Sequence, residues 1–205
     1  MKLLASALII VALLSIVAGI SARMSAQQPP TSSVSVSLKY VLDESSARAS
    51  IDVKIKGESV AALYKMLGGA SKAKSVLSER LNIPSELINI KFTDKEAHVS
   101  LKLAGHAPPY DGIDFIIQED IGSAIALLLE KIGLTGIPIN LSLGFDLPKG
   151  AEVKELVVSP ENAFNVSVEG SRVVITSRSS LTLGKGSFSL YLRYSNPKSR
   201  RNPGE

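Results

Sequence analysis

Apolar and polar side chains alternate along much of this chain. Val34, Val36, Leu38, Tyr40 and Leu42 are interleaved with Ser33, Ser35, Ser37 and Lys39. A period of two marks a strand with one buried face, because successive side chains point to opposite sides of a sheet. Asp43-Glu44-Ser45-Ser46 makes a turn, and Ala49, Ile51, Val53 and Ile55 then alternate with Ser50, Asp52, Lys54 and Lys56. The two runs predict a hairpin. Past Gly57 the period lengthens. Val60, Leu63, Tyr64 and Leu67, then Ala73, Val76, Leu77 and Leu81 beyond Gly68-Gly69, fall at helical spacing until Pro84. Ile88, Ile90 and Phe92, a turn at Thr93-Asp94-Lys95, and Ala97, Val99, Leu101 and Leu103 predict a second hairpin.

The strongest helical pattern follows. Ile117, Ile121, Ala124, Ile125, Leu128, Leu129 and Ile132 recur at three- and four-residue spacing. Glu119 and Asp120 stand where a helix dipole favours anions, Lys131 stands near the other end, and Gly133 suits a left-handed cap. Ile137, Ile139, Leu141, Leu143, Phe145 and Leu147 then alternate in one long strand. From Ala49 to Leu147 the order reads strand, helix, strand, strand, helix, strand. This is the ferredoxin-like βαββαβ arrangement, an α+β fold with two helices on one face of an antiparallel sheet. The run 33–42 becomes an extra N-terminal strand at its edge.

Residues 148–195 carry only strand patterns, at 153–158, 164–168, 172–176, 181–183 and 188–194, separated by Ser159-Pro160-Glu161-Asn162, Glu169-Gly170 and Gly184-Lys185-Gly186. They predict an antiparallel β-meander packed on or extending the core of residues 32–147. In the last strand Phe188, Leu190, Leu192 and Tyr194 face one way, and Ser189, Tyr191 and Arg193 the other. The tail 196–205 is polar, contains two prolines and carries a basic cluster of Lys198, Arg200 and Arg201. It reads as a disordered segment, and its cations suit an acidic surface.

At the other end, residues 3–22 (Leu3 to Ala22) run without a charge between Met1-Lys2 and Arg23. A basic residue followed by such a run marks an export signal, and about 20 apolar residues are also enough to cross a bilayer. Candidate cleavage positions at Gly19-Ile20-Ser21, Ala22 and Ala26 keep both readings open: a removed signal over residues 1–26, or an uncleaved membrane anchor. Either way the positive charge preceding the run holds the N-terminus inside, and the body lies outside the membrane. Residues 27–31, Gln27-Gln28-Pro29-Pro30-Thr31, form a linker.

The chain has 205 residues and no cysteine, so disulfides, thiolate zinc sites and thiol nucleophiles are excluded. Taking away Lys2 and Arg23 lowers the formal charge from +4 to +2, which argues against nucleic acid as a partner. No phosphate-binding glycine loop, dinucleotide fingerprint or nucleophile elbow occurs, and no cofactor is implied.

The stretch 106–114 is the most site-like. It collects His106, Tyr110, Asp111 and Asp114, and one imidazole with two carboxylates is a sparse set for a divalent ion. The plainer account is a turn at Pro109-Tyr110-Asp111-Gly112, with Asp111 or Asp114 capping the helix that follows. Ser71-Lys72-Ala73-Lys74 matches S-x-x-K without the companion motifs of serine acyl enzymes, and His98 falls on the polar phase of its strand. Asn140-Leu141-Ser142 and Asn165-Val166-Ser167 are N-glycosylation sequons, usable on an exported chain.

The expectation is a non-enzymatic extracytoplasmic or cell-surface protein, a binding or assembly module working through the exposed edge strand 33–42, self-associating or pairing with another surface protein. The alternative is an exported hydrolase or metal-dependent enzyme centred on residues 106–114.

Overall fold

A computed structural model describes residues 33–43, 45–57, 60, 61, 64, 65, 68–81, 83–120, 138–182 and 188–195. The first hairpin forms where the alternation predicts it. Strand β1 (Ser33–Leu42) pairs antiparallel with β2 (Ser46–Lys56), so that Val34, Val36, Leu38, Tyr40 and Leu42 face Ile55, Val53, Ile51, Ala49 and Ala47. All ten of these side chains are buried. Each aliphatic side chain fully buried in such a row stabilises the fold by about 1.5–3 kcal/mol.

Helix α1 (Ala70–Leu81) turns Ala73 and Leu77 inward and lies over β3 (Ile88–Phe92). The hydroxyl of Ser78 donates to the carbonyl of Ile83 at 2.7 Å, closing the end of the helix ahead of Pro84. Strand β3 pairs with β4 (Glu96–His106), and β4 with β2.

Strand β1 is not at an edge. Its second neighbour is β6 (Pro138–Asp146), which runs parallel to it and sets Ile139, Leu141, Leu143 and Phe145 beside Val34, Val36, Leu38 and Tyr40. The Tyr40 and Phe145 rings stack at 5.1 Å. Strand β6 in turn pairs with β9 (Arg172–Ser177), and β9 with β8 (Phe164–Glu169). The short β10 (Leu181–Thr182) continues along the β9 side of β6, after an irregularity that two serines patch. Ser177 Oγ accepts from the Leu141 N–H at 3.0 Å, and Ser180 Oγ donates to Asn140 Oδ1 at 2.9 Å. The large sheet therefore runs β3-β4-β2-β1-β6-β9-β8.

The ferredoxin-like expectation is overturned. The protein is mostly β, with two sheets, and among the described residues α1 is the only complete α-helix. The predicted second helix begins instead as strand β5 (Asp114–Glu119), with Phe115 and Ile117 buried on one side and Ile116 and Gln118 on the other. The rest of that predicted helix, residues 121–132, lies outside the described residues. An isoleucine at 117 satisfies both periods, and the contest is settled by what Phe115 finds. Strand β5 joins β11 (Ser189–Ser195) and β7 (Val153–Ser159) in a second antiparallel sheet ordered β5-β11-β7, in which the Phe115 and Tyr194 rings stack at 5.3 Å.

Both sheets share one hydrophobic core. It runs from Val34 through Ile51, Leu143 and Ile175 to Phe115, Leu192 and Tyr194, and takes in Leu77 of α1. The strands of residues 148–195 are divided between the sheets, β8, β9 and β10 extending the large one and β7 and β11 building the small one. Residues 1–32, with the apolar run 3–22, and residues 196–205, with Lys198, Arg200 and Arg201, lie outside the described residues. Among the described residues no helix is long and apolar enough to cross a membrane.

Candidate functional site

The loop 106–114 separates into two places. His106 ends β4, exposed, opposite Ser46 of β2. Asp111 and Asp114 converge on a cation the loop does not contain. Arg193 of β11 donates from Nε to Asp114 Oδ2 at 2.7 Å and approaches Asp111 Oδ2 through Nη2 at 3.4 Å. The phase of β11 explains why: Leu190, Leu192 and Tyr194 enter the core, which leaves Arg193 on the outer face above Ile116 of β5.

No helix follows the loop, so neither aspartate is a helix cap. Asp111 instead holds a turn: its Oδ1 accepts from the N–H groups of Ile113 at 2.9 Å and Asp114 at 2.8 Å. Gly112 takes the positive φ the turn requires, +97°, and its carbonyl accepts from the Tyr110 hydroxyl at 2.7 Å. The hydrogen bonds from Asp114 and Ile113, with Arg193 nearby, hold the Asp111 carboxyl below the ordinary range. The bond to Asp114 likewise raises Arg193. Asp114 is 6% exposed, so its charge is balanced at close range by a single guanidinium. The arrangement ties the loop to the second sheet. Among the described residues no three His, Asp or Glu side chains are grouped to hold a metal ion.

Glu119 and Asp120 close β5 instead of opening a helix, and burial pushes the Glu119 carboxyl up. Ser71 and Lys74 lie in α1, with Ser71 exposed. Tyr191 stands on the outer face of the small sheet, between Gln118 and Val157. Asn140 and Asn165 are both exposed, on the outer face of the large sheet.

That outer face is the feature that residue patterns alone do not assemble. One row crosses all seven strands in direct register: Asn89, Ser100, Asp52, Ser37, Ser142, Thr176 and Asn165. At about 4.8 Å between strands, the row spans about 29 Å. Every member carries a hydroxyl, an amide or a carboxylate, and none is larger than asparagine. The row beside it reads Lys91, His98, Lys54, Ser35 and Asn140, and the row on the other side begins Lys102, Ser50, Lys39 and Gly144.

Charges on the face are unevenly placed. Lys39 is held by Asp146 at 2.7 Å, Arg172 approaches the same carboxylate at 3.7 Å, and Lys56 approaches Glu96 at 3.6 Å. His98 Nε2 lies 3.0 Å from Asp52 Oδ1. Lys54, Lys91 and Lys102 surround that pair, and none of the three has an ion pair among the described residues. The alternation of each strand announces which residues face outward, but the row exists only once the strand order is known.

No protein-family model matches the chain, and no curated protein gives a significant match.

Proposed function

We propose that the chain is a non-enzymatic extracytoplasmic binding module, kept outside the membrane by the export segment at residues 3–22, and that its working surface is the outer face of the large sheet. The observation that carries this reading is the seven-strand row from Asn89 to Asn165. Short hydroxyl and amide groups at regular strand spacing suit an extended, hydroxyl-rich polymer laid across the strands. The lysines Lys54, Lys91 and Lys102 at one end favour a polymer bearing carboxylates or sulfates. Such a face gives weak contacts repeated many times, which is how a surface protein holds a repeating ligand.

The edge-strand route through residues 33–42 is closed, because β1 is paired along both sides. An enzyme centred on residues 106–114 finds little support. Asp111 and Asp114 are engaged by Arg193, and no hydrogen bond or ion pair among the described residues joins His106 to either.

The test is binding of the exported product to an immobilised acidic polysaccharide, measured across salt concentrations. Retention that falls with salt and is lost in the Lys54→Glu, Lys91→Glu, Lys102→Glu triple variant is the expected result. Equal retention of the triple variant, or none by the parent at low salt, refutes it. Replacing His106 and Asp111 by alanine is expected to leave retention intact.

A further inference from the structure

A sheet edge presents unpaired backbone groups, and proteins usually blunt it with charge, proline or a bulge. Among the described residues, three of the four strands that end the two sheet orders carry such protection. Strand β3 is five residues long and holds Lys91, β5 carries Asp114 and Glu119, and β7 carries Lys154 and Glu155. Strand β8 is different. It reads Phe164-Asn165-Val166-Ser167-Val168-Glu169, with its only charge at the last position. Val166 and Val168 are 46% and 45% exposed, although they face the same side as the buried Ile175 and Val173 that pair with them.

The backbone of β8 has a definite phase. The Arg178 N–H donates to the Ala163 carbonyl at 2.9 Å, and Glu169 pairs with Arg172 across the tight Gly170-Ser171 turn. Backbone groups point alternately toward and away from the partner in an antiparallel ladder. Residues 163, 165, 167 and 169 therefore turn theirs toward β9, while Val166 and Val168 turn theirs outward. The outward carbonyl of Phe164 is already taken by Arg178 Nε, at 3.0 Å. Among the described residues, what stays open is the short segment around Ser167.

We infer that two copies of this chain pair through β8, antiparallel, about a two-fold axis at Ser167. In that register each Val166 lies opposite the second copy's Val168, and the two pairs exchange four backbone hydrogen bonds. The four valines form one apolar patch on the core side. On the outer side Ser167 meets its own counterpart and Asn165 meets Glu169, an amide against a carboxylate, with no like charges opposed. Phe164 comes opposite Gly170, which has no side chain to clash. The two outer faces join into one, with the two rows of polar groups offset from each other by four residues along the strands. This pairing goes beyond the binding role proposed above and stands without it.

The chain has no cysteine, so one introduced thiol reports the register. At Ser167 the two Cα atoms are about 4.5 Å apart in a non-hydrogen-bonded pair, inside the span a disulfide bridges. At Asn165 they are displaced by four residues along the strands, about 13 Å, and out of reach. On mild oxidation of the full chain, Ser167→Cys is expected to give a covalent dimer and Asn165→Cys to stay monomeric. Val168→Lys is expected to raise the concentration for dimerisation by about tenfold or more in sedimentation, with its thermal midpoint as the check on folding. A parent chain that sediments as a monomer at high concentration overturns the inference. So does equal cross-linking at 165 and 167, or a Val168→Lys variant that folds and dimerises like the parent.

Discussion

Tyr194 is completely buried, and its hydroxyl is the one buried side-chain polar atom among the described residues with no hydrogen-bond partner. A hydroxyl taken out of water with no partner costs about 1–3 kcal/mol. The ring itself is well placed, stacked on Phe115 at 5.3 Å and 21°. Tyr194→Phe keeps the ring and removes the orphan oxygen, so it should stabilise the fold by about 1–2 kcal/mol. For a body of this size that corresponds to about 2–8 °C in Tm. The assay is urea unfolding of both proteins, with an unchanged slope and a midpoint moved upward. Alkaline pH gives an independent reading. Burial raises the Tyr194 pKa above its ordinary 10.0, so the folded chain keeps the phenolic proton that the unfolded chain releases. The parent therefore loses stability from this group as pH rises past 10, by at most about 1.4 kcal/mol per unit, and the variant does not. Other titrating groups cancel in the difference. A variant that is less stable than the parent by more than about 1 kcal/mol at neutral pH, with no widening gap above pH 10, would show that the hydroxyl has a partner and that the reasoning fails.

Leu143 lies fully buried at the centre of the large sheet, between Leu38 and Ile175, and Leu143→Ala should cost about 2–5 kcal/mol by chemical denaturation, whereas Val166→Ala on the open edge should cost well under 1. The carboxyl of Asp111 titrates below its ordinary 3.8 in the folded chain, so the stability it contributes is present above that pH and lost as pH falls through the folded value; Asp111→Asn keeps the turn's acceptor and should flatten this acid limb, while Asp111→Ala should lower stability at neutral pH as well. Gly170 has a φ of +59° with open space around its Cα, so Gly170→Asn should fold normally and Gly170→Val should lose about 1–2 kcal/mol in the same denaturation assay.

Much of the strand structure is legible in the chain, because a period of two specifies both the element and its buried face. The hairpins β1–β2 and β3–β4 and the phase of β11 follow from it directly. The neighbours of each strand do not. Nothing in the run from Ser33 to Leu42 says that its second partner lies beyond residue 138, and a central strand with polar serines on one face reads like an edge when that face is open to water. Residues 117–120 read as the start of a helix for a different reason. Isoleucines spaced by four fit a helix, but Phe115 and Ile117 are two apart and gain more from the small sheet's core. The loop 106–114 was visible as a concentration of polar groups, yet its cation is 79 residues away. The sign of it in the sequence is Arg193, the only charge in its strand.

The parallel contact between β1 and β6 has a consequence in time. Val34 meets Ile139 about 105 residues later in the chain, so the middle of the large sheet is completed late however early its first hairpin forms. A chain synthesised N-terminus first exposes β1–β2 before β6 has arrived, with one long side of β1 unfilled. During that interval β1 is an edge strand, and in the finished fold it is paired along both sides. Slowing the delivery of residues 138–146 should therefore lengthen the period in which the nascent chain can be trapped by aggregation or held by a chaperone.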